Sequence, residues 1–350
     1  MSGSIIRPAD KRQLLVTGGA GYVGSHVVKA LAGHGEDVVV FDNLSTGVDW
    51  AVQDAELVVG DLGDRQALDA LFRRHRFEAV LHFAAHIWVG ESVRKPVKYY
   101  RNNVANALNL FETARQHGVP HLIFSSTAAV YGEPDADLID ESLPVAPINP
   151  YGASKMMAER LLADIAAASD MTYAVLRYFN VAGADPEGRI GEVTPDNSHL
   201  IKIACETALG LRAAMSINGT DYPTPDGTCI RDYIHVEDLA AAHVAALAHL
   251  RRGNPSLICN CGYGHGQSVR AVIDMVKAVT GMDFEVREGP RRPGDPTRLV
   301  ASNARIRSLF DWQPRHDDLR FIVETAWRWE RILQDRCSDG PEAGRLVRSA

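Results

Sequence analysis

The chain has 350 residues, 46% of them hydrophobic and 23% charged, and a net charge of −7. That composition excludes bulk disorder, and the acidic balance excludes the broad basic field a nucleic-acid partner needs. A few local arginines could still bind an anionic small molecule. No run of about 18 apolar residues suggests a membrane span, and Met1 to Asp10 lacks the apolar core of an export signal, so a cytoplasmic protein is expected. The cysteines, Cys205, Cys229, Cys259, Cys261 and Cys337, are odd in number and none is spaced as a zinc site, so no metal is expected. Cys259 and Cys261 read as small buried hydrophobes on one face of a strand.

In chain order, Gln13 to Thr17 reads as a buried strand and Tyr22 to Ala32 as a helix. Further strands are expected at Asp37 to Phe41, Glu56 to Val59 and Ala79 to Phe83. Three more follow at His121 to Phe124, Tyr173 to Arg177 and Leu257 to Asn260. Helices are expected at Arg65 to His75, Tyr99 to His117, Tyr151 to Ala168 and Val236 to Leu250. Near-continuous apolar strands alternating with helices imply right-handed βαβ units. The expected fold is therefore α/β, a Rossmann-type doubly wound parallel sheet with a smaller, discontinuous C-terminal lobe. From about Asn180 the texture changes: Gly, Pro and Asp cluster through Ala184 to Asn197, and Asp221 to Gly227 reads as a loop. The expected division is 10–180 plus 232–261 for a dinucleotide-binding domain and 181–231 plus 262–335 for a second lobe. Residues 336–350 read as a frayed tail.

Gly18, Gly21 and Gly24 form a G-x-x-G-x-x-G pattern between the first strand and the first helix. Glycines there permit a tight turn, close approach to a pyrophosphate and close packing of the helix on the sheet. The helix N-terminus adds unpaired N–H groups for the phosphates. Asp42 ends the second strand, 18 residues after Gly24. Its carboxylate would accept from an adenosine ribose and repel a 2′-phosphate, which favours NAD over NADP. Asp61 could face the adenine or, in the other reading, cap the helix that follows Gly63-Asp64.

Tyr151 and Lys155 stand four apart at the start of a helix and so share one face. A free tyrosine is a poor base at neutral pH; a nearby ammonium and a cationic nicotinamide would lower its pKa. With this pair in view, the chain resembles the extended short-chain dehydrogenases/reductases, and among them the UDP-glucose 4-epimerase family. The likeness runs from Gly18 to about Trp329. Its motifs are the glycine loop, Phe41-Asp42-Asn43, His82-Phe83-Ala84-Ala85, Val89-Gly90-Glu91-Ser92, Ser125-Ser126-Thr127 and Tyr131-Gly132. They continue with the Tyr–Lys pair, Arg177-Tyr178-Phe179-Asn180 and Arg231-Asp232-Tyr233-Ile234-His235-Val236.

The resemblance implies that Tyr151 is the acid/base at the sugar 4-hydroxyl, that Thr127 hydrogen-bonds the same oxygen and that Lys155 orients the nicotinamide ribose. It implies NAD contacts at Gly18, Gly21, Tyr22, Val23, Gly24, Asp42, Asn43, Asp61, Leu62, Phe83, Ala84, Ala85, Asn102, Ser125, Tyr151, Lys155 and Tyr178. The substrate contacts it implies, in the second lobe and its rim, are Thr127, Asn180, His199, Arg231, Arg292, Asp295 and Leu299, with Arg291 a further candidate for the diphosphate. His199 stands where many members have Asn. Leu299 stands at the position that gates the pocket around the sugar 2-substituent, and its intermediate size favours UDP-glucose/galactose while admitting N-acetylhexosamines. Ile87-Trp88 replaces a segment that often carries a Lys near the cofactor.

The implied reaction takes hydride from sugar C4 to NAD, rotates the 4-keto sugar and returns hydride to its other face. Related dehydratases carry an acid after the position of Thr127, and related decarboxylases a Glu in the same stretch. This chain has Ala128 and Ala129, which favours the epimerase over those relatives. A catalytically silent NAD-binding protein is disfavoured by the intact Tyr–Lys pair. Resemblance also implies a homodimer built on the helices around Tyr99 to His117 and Tyr151 to Ala168.

Overall fold

A computed structural model describes residues 12–194, 198–292 and 295–339, the side chains of 337–339 apart. The expectations for Met1 to Asp10, for Pro195 to Asn197 and for Gly294 lie outside the described residues, as does the side chain of Cys337. Strands β1 (Gln13–Thr17), β2 (Val38–Asp42), β3 (Glu56–Val59), β4 (Phe77–His82), β5 (His121–Thr127), β6 (Thr172–Tyr178) and β7 (Leu257–Cys261) form the central sheet. Their order is β7-β6-β5-β4-β1-β2-β3, and every neighbouring pair is parallel.

Alternation along the strands explains why both faces are covered. Leu14 and Val16 of β1 and Val38 and Val40 of β2 enter one core with α1 (Tyr22–Gly33). Leu15, Val39 and Phe41 point the other way, onto α2 (Arg65–Arg74). The helices that follow are α3 (Val89–Arg94), α4 (Pro96–Tyr100), α5 (Asn106–Gln116), α6 (Pro150–Ala167), α7 (Leu200–Ala208) and α8 (Val236–Arg251). Later come α9 (Val269–Thr280), α10 (Ala304–Leu309) and α11 (Leu319–Asp339). Helix α8 shares the core of α1, whereas α5 and α6 share that of α2.

Beyond β6 the strands are short. Met215–Asn218 pairs with Val286–Gly289, and Ile230–Arg231 lies between Gln267–Ser268 and Arg298–Leu299, in a register that sets Leu299 beside Arg231. Asn180–Ala182 pairs with Tyr233–His235, which leads straight into α8.

The expected elements are present with small shifts at their ends. Two readings are corrected. The stretch from Tyr99 to His117 is interrupted by a π-helical turn at Arg101–Ala105, one residue wider per turn than α-helix. The buried Asn103 side chain occupies that turn and is bonded to the His86 backbone from both sides, through its N–H and its carbonyl, at 2.9 Å each. At the other end, α11 continues through Asp339, into the stretch expected to fray from 336, and residues 340–350 lie outside the described residues.

Candidate active site

The strand order reverses between β1 and β4, and the C-terminal ends of those strands flank a crevice. Gly18 leaves β1 at φ +74°, and a Cβ on it would lie 2.5 Å from the Ala84 nitrogen. One on Gly24 would lie 2.1 Å from the Gly18 carbonyl oxygen, so both positions require glycine. Gly21 is less confined, its nearest atom being the Gly18 oxygen at 3.3 Å. Gly21 caps α1 without a side chain, which leaves the first N–H groups of the helix for an anion. This cradle, which a Cβ would fill, fits a dinucleotide pyrophosphate. Tyr22 and Val23 stand in the first turn. The Tyr22 side chain turns away from the loop and donates to the Gly183 carbonyl at 2.6 Å, so its backbone is the part left for a phosphate.

Asp42 is buried, which raises its pKa, and it accepts from the Ala20 N–H at 3.0 Å and the Leu44 N–H at 2.8 Å. It thereby ties the glycine loop to the turn after β2. Asp61 accepts from Asn43 Nδ2 and from the Gly63 N–H, both at 2.7 Å. The cap of α2 is Asp64, which accepts from the Gln66 and Ala67 N–H groups, so the capping alternative for Asp61 falls. Leu62 is buried in the core beside α2. The Phe83 and Ala84 N–H groups both donate to the Thr17 carbonyl, at 2.8 and 3.1 Å, which lays Phe83 and Ala84, with Ala85 next to them, beside the glycine loop. Asn102 donates to the Asn103 amide oxygen at 3.0 Å, and Asn103 donates to the Ser154 hydroxyl at 3.0 Å. At the departure in the family pattern, Ile87 is exposed and the Trp88 N–H donates to the Tyr99 hydroxyl at 3.0 Å.

Helix α6 presents the Tyr–Lys pair. Asn149 caps it by accepting from the Gly152 N–H at 2.9 Å, and Pro150 takes the first helical position, where its missing N–H costs nothing. Tyr151 therefore sits in the first turn and Lys155 one turn on. A Cβ on Gly152 would lie 2.4 Å from the Ala129 carbonyl oxygen, so glycine lets α6 lie directly on the turn that follows β5. That contact sets the Tyr151 phenol against Thr127, the last residue of β5, whose side chain acts to lower the phenol's pKa. Thr127 also accepts from the Ala129 N–H at 3.1 Å. Ser125, two residues earlier, is hydrogen-bonded to the Tyr178 hydroxyl at the end of β6.

The protein's own groups set the starting point for Tyr151. Burial pushes the phenol up to about 12, and Thr127 offsets only part of that rise. The reason is desolvation, which disfavours the charged phenolate in an apolar site. Burial also pushes Lys155 down to about 7, against the influence of Glu159. The ammonium lies 4.5 Å from the centre of the Phe124 ring, a cation–π contact.

The expected substrate residues fall into two groups. Arg231 forms an ion pair with Asp295, and Arg291, Arg292 and Asp295 line an open cleft with Tyr222. The Arg291 guanidinium stacks 4.2 Å from the Tyr222 ring centre. Leu299, beside Arg231, packs against the small core of Val130, Tyr131 and Ile139, of which Val130 and Tyr131 belong to the turn that follows Thr127. Asn180 and His199 instead line a smaller cavity with Tyr22, Glu192 and Lys202. His199 Nδ1 lies 2.8 Å from Glu192; burial disfavours its charge, but Glu192 outweighs that and the pKa is raised. Among the described residues no group of His, Cys, Asp and Glu side chains could hold a metal. The contact made by Gly152, in the first turn of α6, escaped the sequence reading because a glycine within a helix carries no signal of what it touches.

A reversing parallel sheet, a glycine cradle at its switch point and a Tyr–Lys pair beside Thr127 define a Rossmann-type enzyme of the extended short-chain dehydrogenase/reductase class. The chain belongs to the NAD dependent epimerase/dehydratase family, whose model matches residues 14–262. It is 53% identical to a UDP-glucose 4-epimerase of Azospirillum brasilense over 97% of this chain and 99% of that one. The UDP-glucose 4-epimerase of Brucella ovis, crystallised with NAD, superposes with a TM-score of 0.88 at 44% identity, covering 90% of this chain and 97% of that one. The UDP-Glc/GlcNAc 4-epimerase of Campylobacter jejuni superposes with a TM-score of 0.81 at 47% identity, covering 92% and 99%.

Proposed function

We infer that the chain interconverts UDP-galactose and UDP-glucose by inverting C4 of the sugar, with NAD held in the crevice between β1 and β4. The observation that carries this reading is the meeting of Tyr151, in the first turn of α6, with Thr127 at the end of β5, with Lys155 one helical turn behind. When bound, NAD supplies a hydride acceptor, a hydride donor after reduction and, while oxidised, a positive charge. Gly18, Gly21, Gly24 and the backbone of Tyr22 and Val23 hold its pyrophosphate. Asp42, Asn43, Asp61 and Leu62 hold the adenosine end, and Phe83, Ala84, Ala85, Asn102, Ser125 and Tyr178 line the remainder. Asp42 excludes a 2′-phosphate by charge.

Tyr151 takes the proton of the 4-hydroxyl and later returns it to the same oxygen once C4 has received hydride on its other face, while Thr127 holds that oxygen. A phenol pushed up to about 12 stays protonated near neutral pH, so Lys155 must keep its ammonium close for Tyr151 to reach the phenolate that acts as base. Ala128 and Ala129 supply no acid for elimination at the neighbouring carbons. Arg231, Arg292, Asp295, Asn180 and His199 grip the uridine diphosphate, and the hexose is held loosely enough to present either face. Leu299 leaves room for an N-acetyl group at C2. The relative from Campylobacter jejuni bears the name of an enzyme for both sugars, which favours UDP-N-acetylhexosamines as second substrates.

The parallel sheet ends at β7, which supports the division of the chain into a cofactor domain (10–180, 232–261) and a substrate domain (181–231, 262–335). Val89, Val93 and Val97 on α3 and α4, Leu108 on α5 and Met157 on α6 are exposed apolar residues on neighbouring helices, and we assign them to a homodimer interface. No helix among the described residues is long and apolar enough to cross a membrane. The buried free thiols of Cys205, Cys229, Cys259 and Cys261 suit the reducing cytoplasm in which we place the protein.

The test is incubation of the purified protein with UDP-galactose and no added NAD. UDP-glucose should accumulate to equilibrium, and Tyr151→Phe should lose about 100-fold or more in turnover. No conversion even with added NAD would overturn the reading.

A further inference from the structure

Glu159 lies four residues beyond Lys155 and eight beyond Tyr151 on α6, so all three share one helical face. Its buried carboxylate is held from two strands. Arg177 of β6 grips it with Nε at 3.0 and 3.2 Å and Nη2 at 2.6 Å, and the Ser126 hydroxyl of β5 donates to the same carboxylate. Arg177 Nη1 donates to the Tyr131 hydroxyl at 3.0 Å, which in turn donates to Asn260 of β7 at 2.8 Å. The network is interleaved with the reactive groups: Ser126 stands between Ser125 and Thr127, and Arg177 immediately precedes Tyr178. A buried ion pair of this kind is a poor source of stability compared with apolar packing, so its place behind the reactive pair calls for another reason.

We propose that Glu159, fixed by Arg177 and Ser126, is a positioning residue for the reaction, setting the place and the charge of Lys155 from one helical turn behind it. The proposal rests on the roles given above to Tyr151 and Lys155. Burial drives the Lys155 ammonium down to about 7, and Glu159 is the anion that opposes this loss. Of the other groups around the pair, the imidazole and the phenols carry no charge near neutral pH, and the one carboxylate is paired with a lysine. His82 on β4 is pushed down to about 3 by burial and then by Lys155. Tyr151 on the same helix is a neutral phenol, as are Tyr178 on β6 and Tyr99 on α4, both raised by burial and sensing Tyr151. Glu91 on α3 is engaged by Lys98 and the Tyr99 hydroxyl. Without the Glu159 charge, Lys155 would lose its proton at a lower pH still and support Tyr151 over a narrower range.

Glu159→Gln preserves the shape and removes the charge. The alkaline limb of the kcat–pH profile should move down by roughly one to two pH units, the scale of one charge about a helical turn away in a partly screened interior. Arg177→Met leaves the carboxylate without its cation and should move the same limb up. A purely structural pair would lower kcat in both variants and leave the limb in place. An unmoved limb in Glu159→Gln overturns the proposal. Should that variant not fold, Arg177→Met decides: an upward shift supports the proposal and an unmoved limb overturns it. Tyr151→Phe separates the two levels. If it keeps wild-type turnover, the acid–base reading itself fails; if it is inactive and the limb is unmoved, only the role of Glu159 fails.

Discussion

Gly152→Ala isolates the contact that brings Tyr151 to Thr127. The added methyl would start 2.4 Å from the Ala129 carbonyl oxygen, and real contacts of this kind essentially never fall below 3.0 Å, so the backbones must separate by about 0.6 Å. Neither partner is the free end of a side chain, so the strain falls on α6 and on the turn after β5. Overpacking of this sort costs about 1–3 kcal/mol of stability. A shift approaching 1 Å at a reacting group costs about 100-fold in rate. Gly33 provides the control, because it lies at the end of α1 with nothing within 4 Å of its added Cβ. Gly33→Ala should leave turnover intact and raise stability by up to about 1 kcal/mol. Measuring kcat on UDP-galactose and thermal midpoints for both variants tests the pair. A Gly152→Ala enzyme with wild-type kcat would show that the seating of α6 on Ala129 does not position Tyr151.

Other perturbations probe the remaining claims. Burial alone would raise the Asp185 carboxyl, but Arg189 and Lys29 outweigh it and hold it well below its ordinary value of about 3.9. The contribution of this cluster is therefore complete above pH about 4 and is lost as the pH falls toward the folded value. Asp185→Asn should lower the melting temperature at pH 7 and flatten its fall between about pH 4 and pH 2; an equal acid slope in both proteins would contradict this. Leu299→Tyr should cut turnover of UDP-N-acetylglucosamine by roughly 10–200-fold relative to UDP-glucose. Unchanged selectivity would remove Leu299 from the pocket wall. Val97 is 64% exposed, and Val97→Glu should weaken self-association by about 100-fold or more through an unpaired charge in an apolar contact. Sedimentation that is the same for both proteins would place the interface elsewhere.

Much of this molecule is legible in its sequence, and the reasons are local. The strands of the sheet are apolar on both faces, so Leu14-Leu15-Val16 and Val38-Val39-Val40 announce themselves, and the glycine loop follows from steric need at Gly18 and Gly24. The Tyr–Lys spacing fixes a shared helical face. What stays hidden depends on contacts between distant segments. The π turn at Arg101–Ala105 answers to a hydrogen bond from Asn103 to the His86 loop, which periodicity does not encode. Both Asp61 and Asp64 suit a cap, and only the geometry assigns it to Asp64. The Tyr22 side chain turns to Gly183, 161 residues away. Arg177 is visible as part of a motif, yet its partner Glu159 reads as one more polar residue on a helix until the fold buries both.

The central claim is that hydride leaves C4 of the sugar and returns to the same carbon from within one closed site. The direct measurement uses UDP-galactose carrying deuterium at C4, in ordinary water with unlabelled NAD(H) in excess, and follows the label in the UDP-glucose formed. The account requires the deuterium to remain at C4 in essentially every product molecule, and the rate to slow relative to unlabelled substrate when hydride transfer limits turnover. Loss of the label to water, or its appearance in the free cofactor, would contradict it.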